Sequence, residues 1–153
     1  MALWGGRFTE QPTDAVFALS QSVGFDWRLA PYDLRSSLAH LAVLENSSLV
    51  SKEDSSKIRG ALKELIEEVA SQKFLPTKED EDVHSALERG LTTKLGPLGG
   101  SLRAGRSRND QVTTDLRLFA MDHMLALASL LTELTEVILK KASEYIDDPA
   151  PGF

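Results

Sequence analysis

NDQVTTDLRLFAMDHMLALASLLTELTEVILKKASEYI, residues 109–146, decides how the rest of the chain must be read. It contains neither proline nor glycine, and Asp147, Asp148 and Pro149 follow it as a stop. Its pattern predicts one helix, roughly 55 Å long against about 30 Å for the width of a small domain. Between Leu116 and Leu131 the stretch is apolar on nearly every side, interrupted only by Arg117, Asp122, His123 and Ser129. A helix that is apolar all round must be buried all round. The shorter helices upstream are too few to cover it. The helix is therefore expected to pack in an oligomeric bundle or against further sequence. The chain also ends in PAPGF (149–153) with no closing element, and it is expected to be the N-terminal part of a longer protein. The most apolar run, MLALASLL (124–131), is too short to span a bilayer and follows Asp122 and His123 directly.

Upstream, hydrophobic residues recur at helical spacing in several shorter blocks. Residues 1–29 show no clear period; WGGRF followed by TEQPTD (4–14) reads as an extended arm, with a short helix near residues 14–21. Pro31 suits a first helical turn, and Leu34, Leu38, Leu41 and Ala42 continue it. Ser51 is placed to cap the next helix, with Asp54 three residues on. Ile58, Leu62, Leu65, Ile66 and Val69 form its apolar stripe. FLPT (74–77) breaks the chain. A further helix is expected over 81–95 with Val83, Leu87, Leu91 and Leu95 inside, ended by LGPLGG (95–100) and followed by a loop. No alternating β-branched run occurs, so the fold class is all-α. Residues 1–108 are expected to form an N-terminal helical domain, and residues 109–153 the first long helix of a central bundle.

A net charge of -6 and a pI near 5.1 argue against nucleic-acid and membrane partners, which favour positive surface. The absence of cysteine excludes disulfides, thiolate nucleophiles and zinc–thiolate sites. It also fits a reducing, cytoplasmic setting. The N-terminus has no apolar signal region.

One local basic site stands out against this acidic background. GRSRNDQ (105–111) places Arg106, Ser107, Arg108 and Asn109 where the long helix begins. A helix N-terminus offers unpaired N–H groups and the positive end of its dipole. Arginine adds bidentate grips on carboxylate or phosphate. The plainer alternative is that Arg106 and Arg108 pair with Asp110, Asp115 or solvent. His84 lies in EDEDVHSALE (79–88) behind four acids. It reads either as a histidine aimed at a polar pocket or as an ordinary polar-face residue on an acidic helix start. Ser22 and Asp26, on SQSVGFD (20–26), say nothing alone. His40, His84 and His123 have no metal-ligand spacing, so no metal is expected.

Together these segments resemble the argininosuccinate lyases of the fumarase and aspartase superfamily. LWGGRF (3–8), DLRSSLAHLAVLE (33–45), DEDVHSALE (80–88) and GRSRNDQVTTDLRL (105–118) occur in that family's order and spacing. The resemblance implies an all-α homotetramer around a bundle of long helices, cytoplasmic and active in arginine biosynthesis. It implies cleavage of argininosuccinate to arginine and fumarate by anti β-elimination, at sites shared between subunits and without metal or organic cofactor. It assigns substrate binding to Ser22, His84, Ser107, Arg108 and Asn109. It places the acid/base histidine and the catalytic serine beyond residue 153, so the chain by itself should be inactive. Two departures stand out. Ser36 precedes Ser37 where the family usually has glycine, and Arg103-Ala104 stands where it often has His-Thr. Alternatives are another lyase of the superfamily, a crystallin-like structural protein, or an independent anion-binding helical module.

Overall fold

The computed structural model describes residues 13–152. Residues 4–12 of the expected arm, with its WGGRF motif, lie outside the described residues. The order is α1 (Asp14–Ser20), α2 (Val23–Asp26), a 3-10 turn (Trp27–Leu29), α3 (Ala30–Asn46), α4 (Lys52–Ala70), α5 (Val83–Leu95), a second 3-10 segment (Gly96–Arg103) and α6 (Arg108–Glu144). No strand occurs among the described residues, so the chain is all-α. It divides into two compact units, Met1–Leu116 and Arg117–Phe153.

In the first unit α3, α4, α5 and the second 3-10 segment enclose one core. Leu34, Leu41 and Leu44 enter it from α3, and Ile58, Leu62 and Leu65 from α4. Val83, Leu87 and Leu91 enter from α5 and Leu102 from the 3-10 segment. These are the spacings of a 3.6-residue repeat. Each fully buried leucine contributes about 1.5–3 kcal/mol over an exposed one. Leu38, Ile66, Val69 and Leu95, expected inside, pack at the core's edge.

The helix ends follow local chemistry. Pro31 lies in the first turn of α3. Ser51 Oγ accepts from Asp54 N at 3.0 Å and so caps α4. After α4, buried Asp80 gathers the connecting segment. It accepts from Thr77 N at 2.7 Å and from Arg89 Nε and Nη2 at 2.9 and 2.8 Å. Helix α5 starts two residues later than expected because Asp82 caps it, forming a reciprocal capping box with Ser85. It ends at Gly96, whose φ of 60° is a conformation side chains disfavour. The following residues, expected as a loop, wind into the 3-10 segment. Gly99 lies there against the α5 backbone, where a Cβ would stand 2.8 Å from Leu91 C.

The second unit is the helical run from Arg117 onward. Leu125 is 71% exposed, and Met124, Leu130, Leu134 and Ile138 are exposed too. As expected from the sequence, these side chains are not buried by the described residues. By length and composition α6 also passes as a helix able to cross a membrane, although the shorter apolar run inside it does not.

Candidate functional site

The site is built around a buried polar cluster that links α3, α5 and the start of α6. On α3, Asp33, Ser36 and Ser37 are spaced i, i+3, i+4 and share one face. On α6, Arg108, Gln111 and Asp115 are spaced i, i+3, i+7 and do the same. His84, in the first turn of α5, is buried between them. Its Nδ1 lies 2.5 Å from Asp33 Oδ2 and 3.8 Å from Asp115 Oδ2. Asp33 also accepts from Ser37 Oγ at 2.9 Å and from Gln111 Nε2 at 2.8 Å. Ser36 Oγ lies 2.7 Å from Asp115 Oδ1.

The two carboxyl groups are pushed in opposite directions. Burial raises Asp33, but the hydrogen bonds and charge of His84, with those of Gln111 and Ser37, outweigh it and hold its pKa below the usual value. Asp115 is fully buried and accepts one hydrogen bond. Burial first, and then the charge of Asp33, raise its pKa to about 6. Asp33, His84 and Asp115 offer three ligand atoms within 4.8 Å of one another. Asp33 already accepts from three side-chain donors, so a metal ion would compete with the bonds that hold the cluster. Asp115 Oδ2 is orphaned, as is Arg108 Nη2; these are the two orphaned buried side-chain atoms among the described residues.

The basic loop lies beside this cluster. Gly105 turns it with a φ of 65°, Asn109 N donates to Ser107 Oγ at 3.2 Å, and α6 begins at Arg108. Arg108 Nη1 sits 3.3 Å from Asp82 Oδ1, the cap of α5. Asp82 and Arg108 therefore join the N-termini of α5 and α6. An open pocket in this unit is lined by His84, Glu88, Arg103, Arg106, Arg108 and Gln111, among others.

The five residues singled out from the sequence fall into three groups. His84 and Arg108 face the pocket. Ser107 and Asn109 are exposed at the loop. Ser22 reaches the same region by a different route. Its backbone N donates to Glu81 O at 2.8 Å and its Oγ donates to Asp26 Oδ2 at 2.6 Å. Asp26 in turn accepts from Val83 N at 3.1 Å, adding a second cap to α5. Arg106 does not pair with Asp110 or Asp115, nor does it point an open fork at an anion. Its Nη1 and Nη2 donate to Ser37 Oγ and Ser36 Oγ at 2.8 and 2.7 Å. Asp33, Gln111 and Asp115 were not singled out as site residues. The available signal was two polar stripes at helical spacing, on α3 and on α6.

An all-helical unit thus sets a basic loop at a helix N-terminus beside a buried acid–imidazole–acid cluster. A family model described as "Lyase" matches residues 6–153, and the chain belongs to this lyase family. It is 54% identical over 153 residues to the argininosuccinate lyase of Frankia casuarinae, covering all of this chain and 33% of that protein. It is 52% identical over 151 residues to that of Acidothermus cellulolyticus, covering 99% of this chain and 31% of the relative. With the argininosuccinate lyase of Streptomyces avermitilis it shares 48% identity over 151 residues, 98% of this chain and 32% of the relative. The chain thus spans about a third of the length of the curated relatives it matches.

Proposed function

We propose that this chain supplies the carboxylate-binding part of an argininosuccinate lyase, a carbon–nitrogen lyase of arginine biosynthesis. The reaction splits argininosuccinate to arginine and fumarate by anti β-elimination. A base removes the proton next to a carboxylate, negative charge gathers on that carboxylate, and an acid protonates the departing guanidinium nitrogen. Preorganised donors at the carboxylate stabilise that charge, each worth about 3 kcal/mol of barrier. In this reading Ser107, Arg108 and Asn109 hold the carboxylate, with the N–H groups of the first α6 turn behind them. Ser22 and His84 complete the binding surface, and the acid and base come from outside these residues. Residues 1–108 act as the N-terminal helical domain and residues 109–153 as the first long helix of a central bundle. The apolar side chains of α6 would be covered by a cytoplasmic homotetramer with shared sites.

The observation that carries this reading is Arg108. One guanidinium nitrogen pairs with Asp82, Nη2 is buried without a partner, and the residue lines the pocket. A buried unpaired guanidinium N–H costs more than an ordinary lost hydrogen bond, and a substrate carboxylate would supply the missing acceptor.

The test is complementation. The chain is mixed with the remaining two thirds of an argininosuccinate lyase, and fumarate release is followed by its ultraviolet absorbance. Activity that requires both pieces, and falls at least about tenfold in Asn109→Ala through loss of one oxyanion donor, supports the reading. Associated, folded pieces without activity would overturn it.

A further inference from the structure

We propose that Arg106, Ser36 and Ser37 form a latch that fixes the anion loop on α3, making Arg106 a positioning residue rather than an anion ligand. This rests on the lyase reading and goes beyond it by separating the two arginines of the loop. Arg106 directs one N–H from each terminal nitrogen at α3, one to each hydroxyl of a serine pair. Its planar fork fits two adjacent acceptors, which a single ammonium group cannot hold in the same way. Neither serine is free to turn away. Ser37 Oγ donates to Asp33 Oδ1 at 2.9 Å, and Ser36 Oγ contacts Asp115 Oδ1 at 2.7 Å and Asp33 O at 3.0 Å. Each hydroxyl can donate its single hydrogen inward and still accept from Arg106. The guanidinium thereby gains two oriented acceptors.

The latch lies within a row of tethers between α3 and the chain around the loop. His40 Nε2 lies 3.0 Å from Ala104 O, just before Gly105. Gln111 Nε2 donates to Asp33 Oδ2 just beyond the loop. Arg106 supplies the middle attachment, directly before Ser107, Arg108 and Asn109. A loop turning through Gly105 at a positive φ has freedom to lose, and fixing it in advance lowers the entropic cost of gripping a substrate. Ser36 is therefore functional rather than a neutral replacement: its hydroxyl is one of the two acceptors, and glycine would have none.

The signature of a latch is non-additivity. Arg106→Lys keeps the charge and loses the fork; Ser36→Ala with Ser37→Ala keeps Arg106 and removes both acceptors. Amide hydrogen exchange is measured across residues 105–109 in the chain, with α4 amides as an internal control. KM and kcat are measured for the complemented enzyme. Each change alone is expected to speed loop exchange and raise KM about tenfold, the worth of a lost charge-assisted hydrogen bond, with kcat changed less than about twofold. Combining them should add little further. If Arg106 instead binds the anion, the serine changes leave KM unchanged and the effects add, which overturns the proposal. Unchanged loop exchange overturns it too. If the double serine variant loses α4 protection, Arg106→Gln, which leaves both serines in place, gives the same loop readout. If the unaltered assembly releases no fumarate, the lyase reading fails, while the exchange data still decide the latch.

Discussion

Helix α6 obeys opposite rules along its length. In its first two turns a carboxyl group is inside, since Asp115 is 0% exposed. Beyond Arg117 leucines are outside, more than half exposed at Leu127 and Leu134. The difference teaches that burial follows what neighbours offer rather than side-chain type alone. Asp115 has Ser36, His84 and the Arg106 guanidinium around it. The leucines have no such neighbours among the described residues. The first unit pairs most of its buried polar groups, Asp115 Oδ2 and Arg108 Nη2 being the exceptions among the described residues, whereas the second presents apolar surface that single exposed hydrophobics on ordinary proteins do not match.

The largest expected effect breaks the second region. Leu127 and Leu134 are seven residues apart and share one stripe. Changing both to glutamate should abolish assembly and with it complementation, leaving α4 and α5 exchange protection intact. Sedimentation velocity checks this. Assembly that survives both charges would show that this stripe is not the interface.

Next come two glycines of the first unit. A Cβ at Gly99 would lie 2.8 Å from Leu91 C and 2.9 Å from Leu91 O, which are backbone atoms of α5. A Cβ at Gly90 would meet ring atoms of Phe74 at 2.9 and 3.0 Å and a Leu65 methyl at 3.1 Å. Side-chain ends can shift; a helix backbone cannot without moving the whole element. Gly99→Ala should destabilise the unit by about 3 kcal/mol and Gly90→Ala by about 1, the upper and lower ends of overpacking costs. Urea denaturation separates them, and the reverse order would show that the 3-10 segment yields more easily than the ring.

The polar interior predicts a pH dependence. Asp115 has a raised pKa of about 6 against 3.8 unperturbed, so the folded state binds its proton more tightly. Its contribution is fully present below the unfolded value and is lost as pH rises through about 6. Asp33 and Asp80 are lowered, so their contributions are present above 3.8 and lost as pH falls through their folded values. Asp115→Asn should therefore reduce the fall in stability between about pH 4 and 6, leaving the part due to Asp26, whose pKa burial also raises, while keeping the acid-side loss. The gain at pH 7 is at most about 3 kcal/mol, since one pKa unit is 1.36 kcal/mol. Denaturation series at several pH values check it, and an unchanged slope in that window would mean that Asp115 stays charged.

The same contrast explains what could be read in advance. The apolar stripes of α4 and α5, the Ser51 cap and the run of α6 are local periodicities, and local periodicity determines helices. The basic loop at the start of α6 was legible because its arginines directly precede the helical run. The buried cluster was not, because Asp33 and His84 are 51 residues apart in sequence and only packing makes them neighbours. His84 looked like either a pocket residue or an ordinary helix-surface histidine, and its own acidic segment suggested the wrong partners. The carboxylates beside it come from α3 and α6. Arg106 was equally incomplete in the sequence: a basic side chain on a loop suggests an external anion, and the two serines on α3 that accept from it are 69 and 70 residues away.

The smallest effect concerns Asp82, where the first unit's self-sufficiency can be measured most finely. Its Oδ1 accepts from Ser85 N at 2.7 Å and faces Arg108 Nη1 at 3.3 Å. Asp82→Ala should cost about 1 kcal/mol, the usual worth of an N-cap. The loss stays at that level because Asp26 still accepts from Val83 N and keeps one end of α5 satisfied. Asp82→Asn retains a capping oxygen and loses only the charge, so most of that stability should return. Asp26→Ala alone should cost a similar amount. Removing Asp26 and Asp82 together should cost more than the sum of the two single changes, because each cap limits fraying when the other is absent. Thermal melts of the four proteins decide it: simple additivity would mean that the two caps act on independent turns, and that α5 is held at this end by its core contacts rather than by its caps.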